Sequence, residues 1–220
     1  GSDARRLTVQ GVAQEEPWLH PDGERVVFDS LDGDRLSVWS IRLDGTGLED
    51  LIPDATIGGR PAISPDGEWL FFDGILEGDF RMLRRSLATG ETTAVPTEFS
   101  HSPSWSPDGS RMALHFRGEG DSLWKTGILT PDGNEIVETH DFHSELESPW
   151  SADGGSLFHA ETIDGVTNLF LMPLDGGEPR QLTDFSEGEI FHFDVSPDGS
   201  TLLMAQGRRV RDIVLIDNFR

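Results

Sequence analysis

Apolar residues recur along the chain in short runs that alternate with turns rich in glycine, proline and aspartate. An Asp-Gly pair occurs in the same context five times, at Asp22, Asp66, Asp108, Asp153 and Asp198, with spacings of 44, 42, 45 and 45 residues. A period of this length accommodates four strands of about five residues with their turns, which is one blade of a β-propeller.

Apolar side chains follow each of these turns at fixed distances. Four residues after the aspartate stand Val26, Leu70, Met112, Leu157 and Leu202, and two residues further on stand Phe28, Phe72, Leu114, His159 and Met204. Residues two apart in a strand share one face, so the pattern predicts a strand that packs between blades, with His159 as a hydrogen-bonded core residue. In the preceding turn, Pro presets φ, Asp accepts amide hydrogen bonds and Gly tolerates positive φ.

A second apolar run follows in every repeat and predicts the third strand. These runs are Leu36–Ile41, Phe80–Leu83, Leu123–Leu129, Leu169–Met172 and Ile213–Ile216. Arg6-Leu7-Thr8 resembles the fourth-strand segment 180–183, so the N-terminal segment supplies the strand that the last repeat lacks. We therefore predict an all-β fold, a five-bladed β-propeller of four-stranded antiparallel blades, as a single domain over residues 3–220. The alternative is a segment cut from a larger propeller.

The charge of the chain limits its partners. Lys and Arg total 17 and Asp and Glu total 40, so the formal net charge is −23. Such a surface repels nucleic acids and anionic membranes and attracts cationic partners or metal ions, so we expect no nucleic-acid partner and no membrane insertion. The absence of cysteine fits an extracytoplasmic location without requiring it. Gly1-Ser2 looks like a cloning remnant, so we expect a domain excised from a larger protein.

The turn motif carries a family resemblance. Pro103-Ser104-Trp105-Ser106-Pro107-Asp108-Gly109 resembles the TolB-type, WD-like propeller repeat, Pro-x-Trp-Ser-Pro-Asp-Gly. The other repeats depart from it, with His20 for Ser, Ala152 for Pro, Pro149 shifted to stand directly before Trp150, and Phe193-Asp194-Val195 in place of Pro-x-Trp. The C-terminal segment 211–219 looks like the end of propellers attached to bacterial Ser/Thr kinases and transcriptional regulators.

This resemblance implies a ligand- or protein-sensing module in a bacterium, and TolB itself is a periplasmic protein-interaction module. The same repeat also occurs in enzymes, namely the gating domains of prolyl oligopeptidases and oligogalacturonate lyases. Fold therefore does not decide function here. We expect an extracytoplasmic or periplasmic location and a protein or small-molecule ligand at the loop face.

A ligand site is expected where the first strands of the blades reach the mouth of the central channel. Six residues before each turn aspartate stand Glu16, Arg60, Ser102, Glu147 and His192, with His101 one position further out from Ser102. An arginine among carboxylates favours an anionic group, such as the carboxylate of a peptide or a sugar acid. We predict these six residues as the ligand-binding site.

The polar connector 139–147 is the candidate metal site. His140, His143 and Glu147, together with His192, offer imidazole and carboxylate groups that bind divalent metals. The alternative, which we favour, is a solvated polar rim and no cofactor, since histidines beside carboxylates are expected by chance in so acidic a chain. We interpret the segments Asp29–Asp34 and Asp73–Asp79 as turns, because neither has the spaced aspartates of a calcium loop.

Catalytic motifs are missing from the sequence, which has no Gly-x-Ser-x-Gly elbow and no His-Glu-x-x-His motif. The favoured function is therefore a non-catalytic binding or sensor module. One alternative is a metal-assisted lyase or hydrolase that acts on an acidic polysaccharide, and another is a purely structural scaffold. Trp18, Trp39, Trp69 and Trp124 fall on predicted strands, where we expect them to pack between blades or to cap their edges. If an exposed tryptophan anchors a partner at the mouth, Trp18 is the candidate.

Overall fold

The computed structural model describes residues 6–8, 13–118, 120–142, 144, 146–196 and 198–208, with the side chains of Ala13, Glu16 and Asp32 outside the description. The chain divides into two compact units, residues 1–143 and residues 144–220. The described residues form β-strands and turns without a helix, so nothing in them is a helix able to span a bilayer. The predicted all-β class is confirmed.

The first unit contains three antiparallel sheets, each with four strands in sequence order. The first sheet consists of β1 (Ala13–Leu19), β2 (Arg25–Asp32), β3 (Arg35–Arg42) and β4 (Glu49–Asp50). The second consists of β5 (Gly58–Ile63), β6 (Trp69–Leu76), β7 (Asp79–Ser86) and β8 (Thr92–Ala94). The third consists of β9 (Phe99–Trp105), β10 (Met112–Arg117), β11 (Lys125–Leu129) and β12 (Ile136–His140). The four-stranded antiparallel repeat is thus confirmed in this unit.

The second unit contains the two remaining repeats. The fourth sheet consists of β13 (Ser156–Ile163), β14 (Val166–Pro173) and β15 (Arg180–Gln181), and Trp150 forms an isolated bridge to Leu157. The fifth sheet consists of β16 (Glu189–Val195) and β17 (Leu202–Gly207). The predicted strand 213–216 and the C-terminal segment 211–219 lie outside the described residues. Closure by the N-terminal strand, the number of blades and the single domain therefore stay predictions.

The predicted Asp-Gly turns directly precede a strand in every repeat, namely β2, β6, β10, β13 and β17. In four of them, the turns of Asp66, Asp108, Asp153 and Asp198, a serine hydroxyl donates to the aspartate Oδ1 at 2.6 Å. The same oxygen also accepts the backbone N–H of the residue two positions after the aspartate. The following glycines have φ between 68° and 74°. The aspartate therefore organises the turn and the glycine takes the left-handed conformation that it requires.

Removal of the serine hydroxyl from one of these turns should be costly. Ser106 is buried, and its Oγ also accepts the Arg111 N–H at 3.0 Å. We expect Ser106→Ala to lower the free energy of unfolding by about 1–2 kcal/mol, because the partly buried amide of Arg111 loses an acceptor and the bond from the buried hydroxyl to Asp108 is lost. Urea denaturation followed by tryptophan fluorescence measures the change. Ser110→Ala, which removes an exposed hydroxyl from the same Asp108, is the control and should change stability by less than about 0.5 kcal/mol. Equal losses would contradict this account.

Apolar clusters fill the spaces between neighbouring sheets within each unit. Val27 and Val38 of the first sheet pack with Leu70 and Phe72 of the second. On the opposite face of the same strand β6, Phe71 packs with Met112 and other residues of the third sheet. In the second unit, Leu169 and Phe193 join the fourth and fifth sheets in the same way. Interlocked faces of successive sheets are what the two-residue spacing predicted.

Candidate functional site

A β-bulge interrupts the first strand of several sheets near the end where the chain enters that strand. The pairing shifts between Glu15 and Trp18 in β1 and between Gly59 and Ala62 in β5, with further shifts in the β9–β10 and β16–β17 pairs. The second and third strands are joined at this same end of the sheet, which we call the loop end. A bulge changes the direction in which neighbouring side chains point, so it determines which side chains are exposed at the loop end.

The predicted mouth residues of the first unit lie at these bulges. Arg60 and Ser102 have φ of 52° and 55°, a left-handed conformation that is strained for residues other than glycine. Both stand six residues before a turn aspartate, so the repeat places the same conformation in neighbouring sheets. Strain of this kind concentrates at functional sites, where the surrounding structure maintains it.

The other mouth residues divide between the two units. Glu16 lies in the bulge of β1, with its side chain outside the description, and His101 precedes Ser102 in β9. Glu147 and His192 belong to the second unit, where both side chains are exposed. The structure thus brings Arg60, His101 and Ser102 to the loop ends of adjacent sheets. Convergence of all six residues on one mouth stays a prediction.

Arg60 is tied to carboxylates of two sheets. Its backbone N–H donates to Asp29 Oδ2 of β2 at 3.2 Å, and its Nη1 lies 3.4 Å from Asp73 Oδ2 of β6. A Cβ on Gly59 would meet Asp29 Oδ2 at 2.9 Å, so glycine is what lets this carboxylate reach the bulge. The Arg60 side chain is 70% exposed. It therefore keeps most of its guanidinium available to a ligand.

Burial raises the pKa of Asp73 to about 6, and the nearby Arg60 guanidinium only partly opposes this effect. Asp29 and Asp73 lie inside strands β2 and β6, so the interpretation of their segments as turns was wrong at both positions. Each stands seven residues after its turn aspartate, and His115 occupies the same place in the third repeat. Sequence reasoning missed this set, although extending the repeat alignment by one residue would have found it.

The rings of His101, His115 and Trp124 form a cluster next to the bulge of the third sheet. The ring centroids of His101 and His115 are 5.5 Å apart, and those of His101 and Trp124 are 4.8 Å apart. His101 Nδ1 lies 3.0 Å from the Ser102 hydroxyl. Trp124, expected on a strand, stands one residue before β11. These contacts fix the His101 ring at the loop end of the sheet.

His115 is the buried support of this cluster. Its Nδ1 lies 3.1 Å from Thr126 Oγ1, and Thr126 Oγ1 donates to the carbonyl oxygen of Phe142 at 2.6 Å. Because the single hydroxyl proton is used for Phe142, His115 Nδ1 must be the donor to Thr126. The structure thus assigns a proton to Nδ1 and holds the ring in one orientation.

The candidate metal ligands belong to two different units. His140 ends β12, with Nε2 3.4 Å from Glu138 Oε2, while Glu147 and His192 belong to the second unit and His143 lies outside the description. Across the described ranges, no group of three or more His, Asp or Glu side chains is placed to hold a metal ion. The metal site stays a prediction.

Two further sequence interpretations concern aromatic and imidazole side chains. Trp18 packs edge-on against Trp105, with centroids 6.2 Å apart, and contacts both core clusters of the first unit. Trp18 therefore packs between sheets of the first unit, as its place on a strand predicted, and a role as an anchor stays a prediction. His159 is buried, as its core-facing position predicted.

The chain is similar to TolB proteins in sequence and in fold. No family model matches the chain. A protein TolB homolog of Chlorobium luteolum is 27% identical over 203 residues, which are 81% of this chain and 46% of that relative. The chain thus spans less than half the length of this curated relative.

Solved structures agree with this likeness. The putative TolB from Agrobacterium tumefaciens has a TM-score of 0.70 at 22% identity, over 89% of this chain and 70% of that one. The acylaminoacyl peptidase of Pyrococcus horikoshii has a TM-score of 0.57 at 16% identity, over 87% of this chain and 35% of that one. At these identities the likeness concerns the fold alone.

Proposed function

Because the chain has the TolB-type β-propeller fold, we propose that it is a non-catalytic binding module that holds a partner protein at the loop ends of its sheets. The bulges at Arg60 and Ser102 are the observation that carries this proposal. They give adjacent sheets the same strained conformation and turn polar side chains toward the loop ends. The resemblance to TolB also implies a periplasmic location, which we include in the proposal.

Binding fits the surroundings of these residues better than catalysis does. Arg60 is exposed and tied to carboxylates, and the ring of His101 is packed against other rings. A metal-assisted lyase or hydrolase would need a group of metal ligands, for which the described residues offer no support. The likeness to a peptidase covers about a third of that enzyme and carries no activity over to this chain.

Site-specific photo-crosslinking tests the proposal. A photoreactive phenylalanine analogue replaces Leu123, which is 73% exposed at the loop end of the third sheet, or Leu19, which is 60% exposed at the opposite end of the first sheet. We expect a protein crosslink from position 123 in periplasmic extract of the bacterium that encodes the chain, and none from position 19. Equal crosslinking from both positions, or none from position 123, would overturn the proposal.

A further inference from the structure

Arg117 stands apart from the other arginines of the first unit. Most of those pair with a carboxylate, as at Arg25, Arg35, Arg42, Arg60, Arg81, Arg84 and Arg85. The Arg117 guanidinium instead lies 5.3 Å from the ring centroid of Phe99 and 5.3 Å from that of Trp124. Within the described residues it has neither an ion pair nor a hydrogen bond. The chain has 40 acidic residues, yet none of the carboxylates that the structure describes pairs with this arginine.

The strands position this arginine at the loop end of the third sheet. Arg117 ends β10 directly opposite Phe99, the first residue of β9. Trp124 stands just before β11 and packs edge-on against His101, whose neighbour His115 is anchored to Thr126. Trp124, one of the two rings beside the guanidinium, is therefore connected through His101 to the buried His115. A guanidinium ordered in this way loses little further conformational freedom when it binds a ligand.

We propose that Arg117 binds one carboxylate of a partner protein segment, next to an apolar side chain of that segment. This inference rests on the proposed binding function. The guanidinium lies over two aromatic rings, and among the described residues its N–H groups donate to no acceptor, so they are open to the two oxygens of a carboxylate. Phe99 is 47% exposed and Leu123 is 73% exposed, so apolar contact surface adjoins the charge.

A peptide suits this site better than a sugar acid. Sugars stack on the flat faces of aromatic rings, and here Arg117 already contacts both Phe99 and Trp124. Leu123 offers an aliphatic surface that fits an apolar side chain. The net charge of −23 repels strongly acidic partners, so the bound carboxylate should belong to a segment that is otherwise neutral or basic.

Two peptides that differ only at the C-terminus test the proposal. N-acetyl-Ala-Leu-Phe with a free carboxylate and the same peptide with a C-terminal amide are titrated into the whole chain. Chemical shifts of the Arg117 Nε–H and the Trp124 indole N–H are followed by NMR. We expect the carboxylate peptide to shift both signals and to bind about tenfold more tightly than the amide, because the amide lacks the charged hydrogen bonds.

Variants separate recognition by Arg117 from general charge effects. Arg117→Gln should abolish the difference between the two peptides, and Arg117→Lys should retain only part of it, because lysine keeps the charge and loses the planar fork. Arg180→Gln is the control, since Arg180 is an exposed arginine in the second unit without a described carboxylate partner. It should bind both peptides as the parent chain does. Unchanged urea midpoints show that each variant is folded.

Several results would overturn the inference. These are equal affinity for the two peptides, no shift with either, unchanged discrimination in Arg117→Gln, or galacturonate shifting the same signals while the peptides do not. The Leu123 crosslink separates this failure from failure of the binding function. If the crosslink persists at full yield in Arg117→Gln, only the role of Arg117 is wrong. If the parent chain gives no crosslink, the proposed function fails as well.

Discussion

Replacement of Gly133 with alanine should lower the free energy of unfolding by about 3 kcal/mol, the largest effect that we expect from a single added methyl group. Gly133 has φ of 68°, where an L-residue is strained. A Cβ built on it lies 2.4 Å from Phe71 Cε1 and 3.3 Å from the terminal methyl of Met112. Phe71 is fully buried, so its ring has little room to move away.

This cost arises because the turn that contains Gly133, in the third sheet, packs against side chains of the second sheet. Two carbonyl oxygens in the turn between β11 and β12 of the third sheet accept hydrogen bonds. The Pro131 oxygen accepts one from Trp105 Nε1 at 3.2 Å, and the Asp132 oxygen accepts one from Arg84 Nη1 at 2.8 Å. Arg84 belongs to β7 of the second sheet and also lies over the Trp69 ring at 4.7 Å. An added methyl group would therefore push apart two sheets that are joined by a buried ring and a hydrogen-bonded arginine.

Gly23→Ala isolates the backbone contribution to this effect. Gly23 has φ of 70° and nothing within 4 Å of its built Cβ, so alanine there should cost about 1 kcal/mol. Urea denaturation followed by tryptophan fluorescence is the measurement, and five of the six tryptophans lie in the first unit.

Phe71→Leu should cost less in the Gly133→Ala background than in the parent chain, because the smaller side chain relieves the clash. Equal losses for the two glycine variants would show that Phe71 does not resist the added methyl.

The sequence predicted the turns well because each depends on residues close in the chain. An aspartate that accepts a neighbouring amide and a glycine with positive φ act within a few positions, and the repeat displayed them five times. The packing of Gly133 against Phe71 depends on residues 62 positions apart, and no periodicity encodes it. The contact of Trp18 with Trp105 is also long-range, so the repeat placed Trp18 on a strand but did not identify the residue that it packs against.

The candidate site was predictable in position and not in chemistry. Counting back from the turn aspartate located Arg60 and Ser102, because the repeat fixes where each first strand meets the loop end. It did not reveal their left-handed backbone, which arises from a bulge between two strands. The carboxylate of Asp73 and the rings around Arg117 were also missed. Their properties come from burial and from side-chain packing, which one-dimensional spacing does not describe.

Asp73→Asn should remove a pH dependence of stability between about pH 4 and pH 6. Burial raises the pKa of Asp73 from 3.8 to about 6, so the folded chain keeps this proton over a range in which the unfolded chain has lost it. Stability therefore falls as the pH rises through this range, and the penalty is constant above it. A shift of roughly two pKa units corresponds to about 3 kcal/mol. Asparagine carries no ionisable proton, so the variant avoids this penalty.

The measurement is the difference in the free energy of unfolding between the variant and the parent chain from pH 4 to pH 8. This difference should grow by about 3 kcal/mol in favour of Asp73→Asn as the pH rises. The loss of the Arg60 contact should cost little, because that side chain is 70% exposed and water solvates it. Asp79→Asn, which removes a carboxylate that is 71% exposed at the tip of the same hairpin, is the matched control and should not reproduce the change expected for Asp73→Asn. A profile of Asp73→Asn that runs parallel to that of the parent chain would mean that water reaches Asp73 and that burial does not raise its pKa.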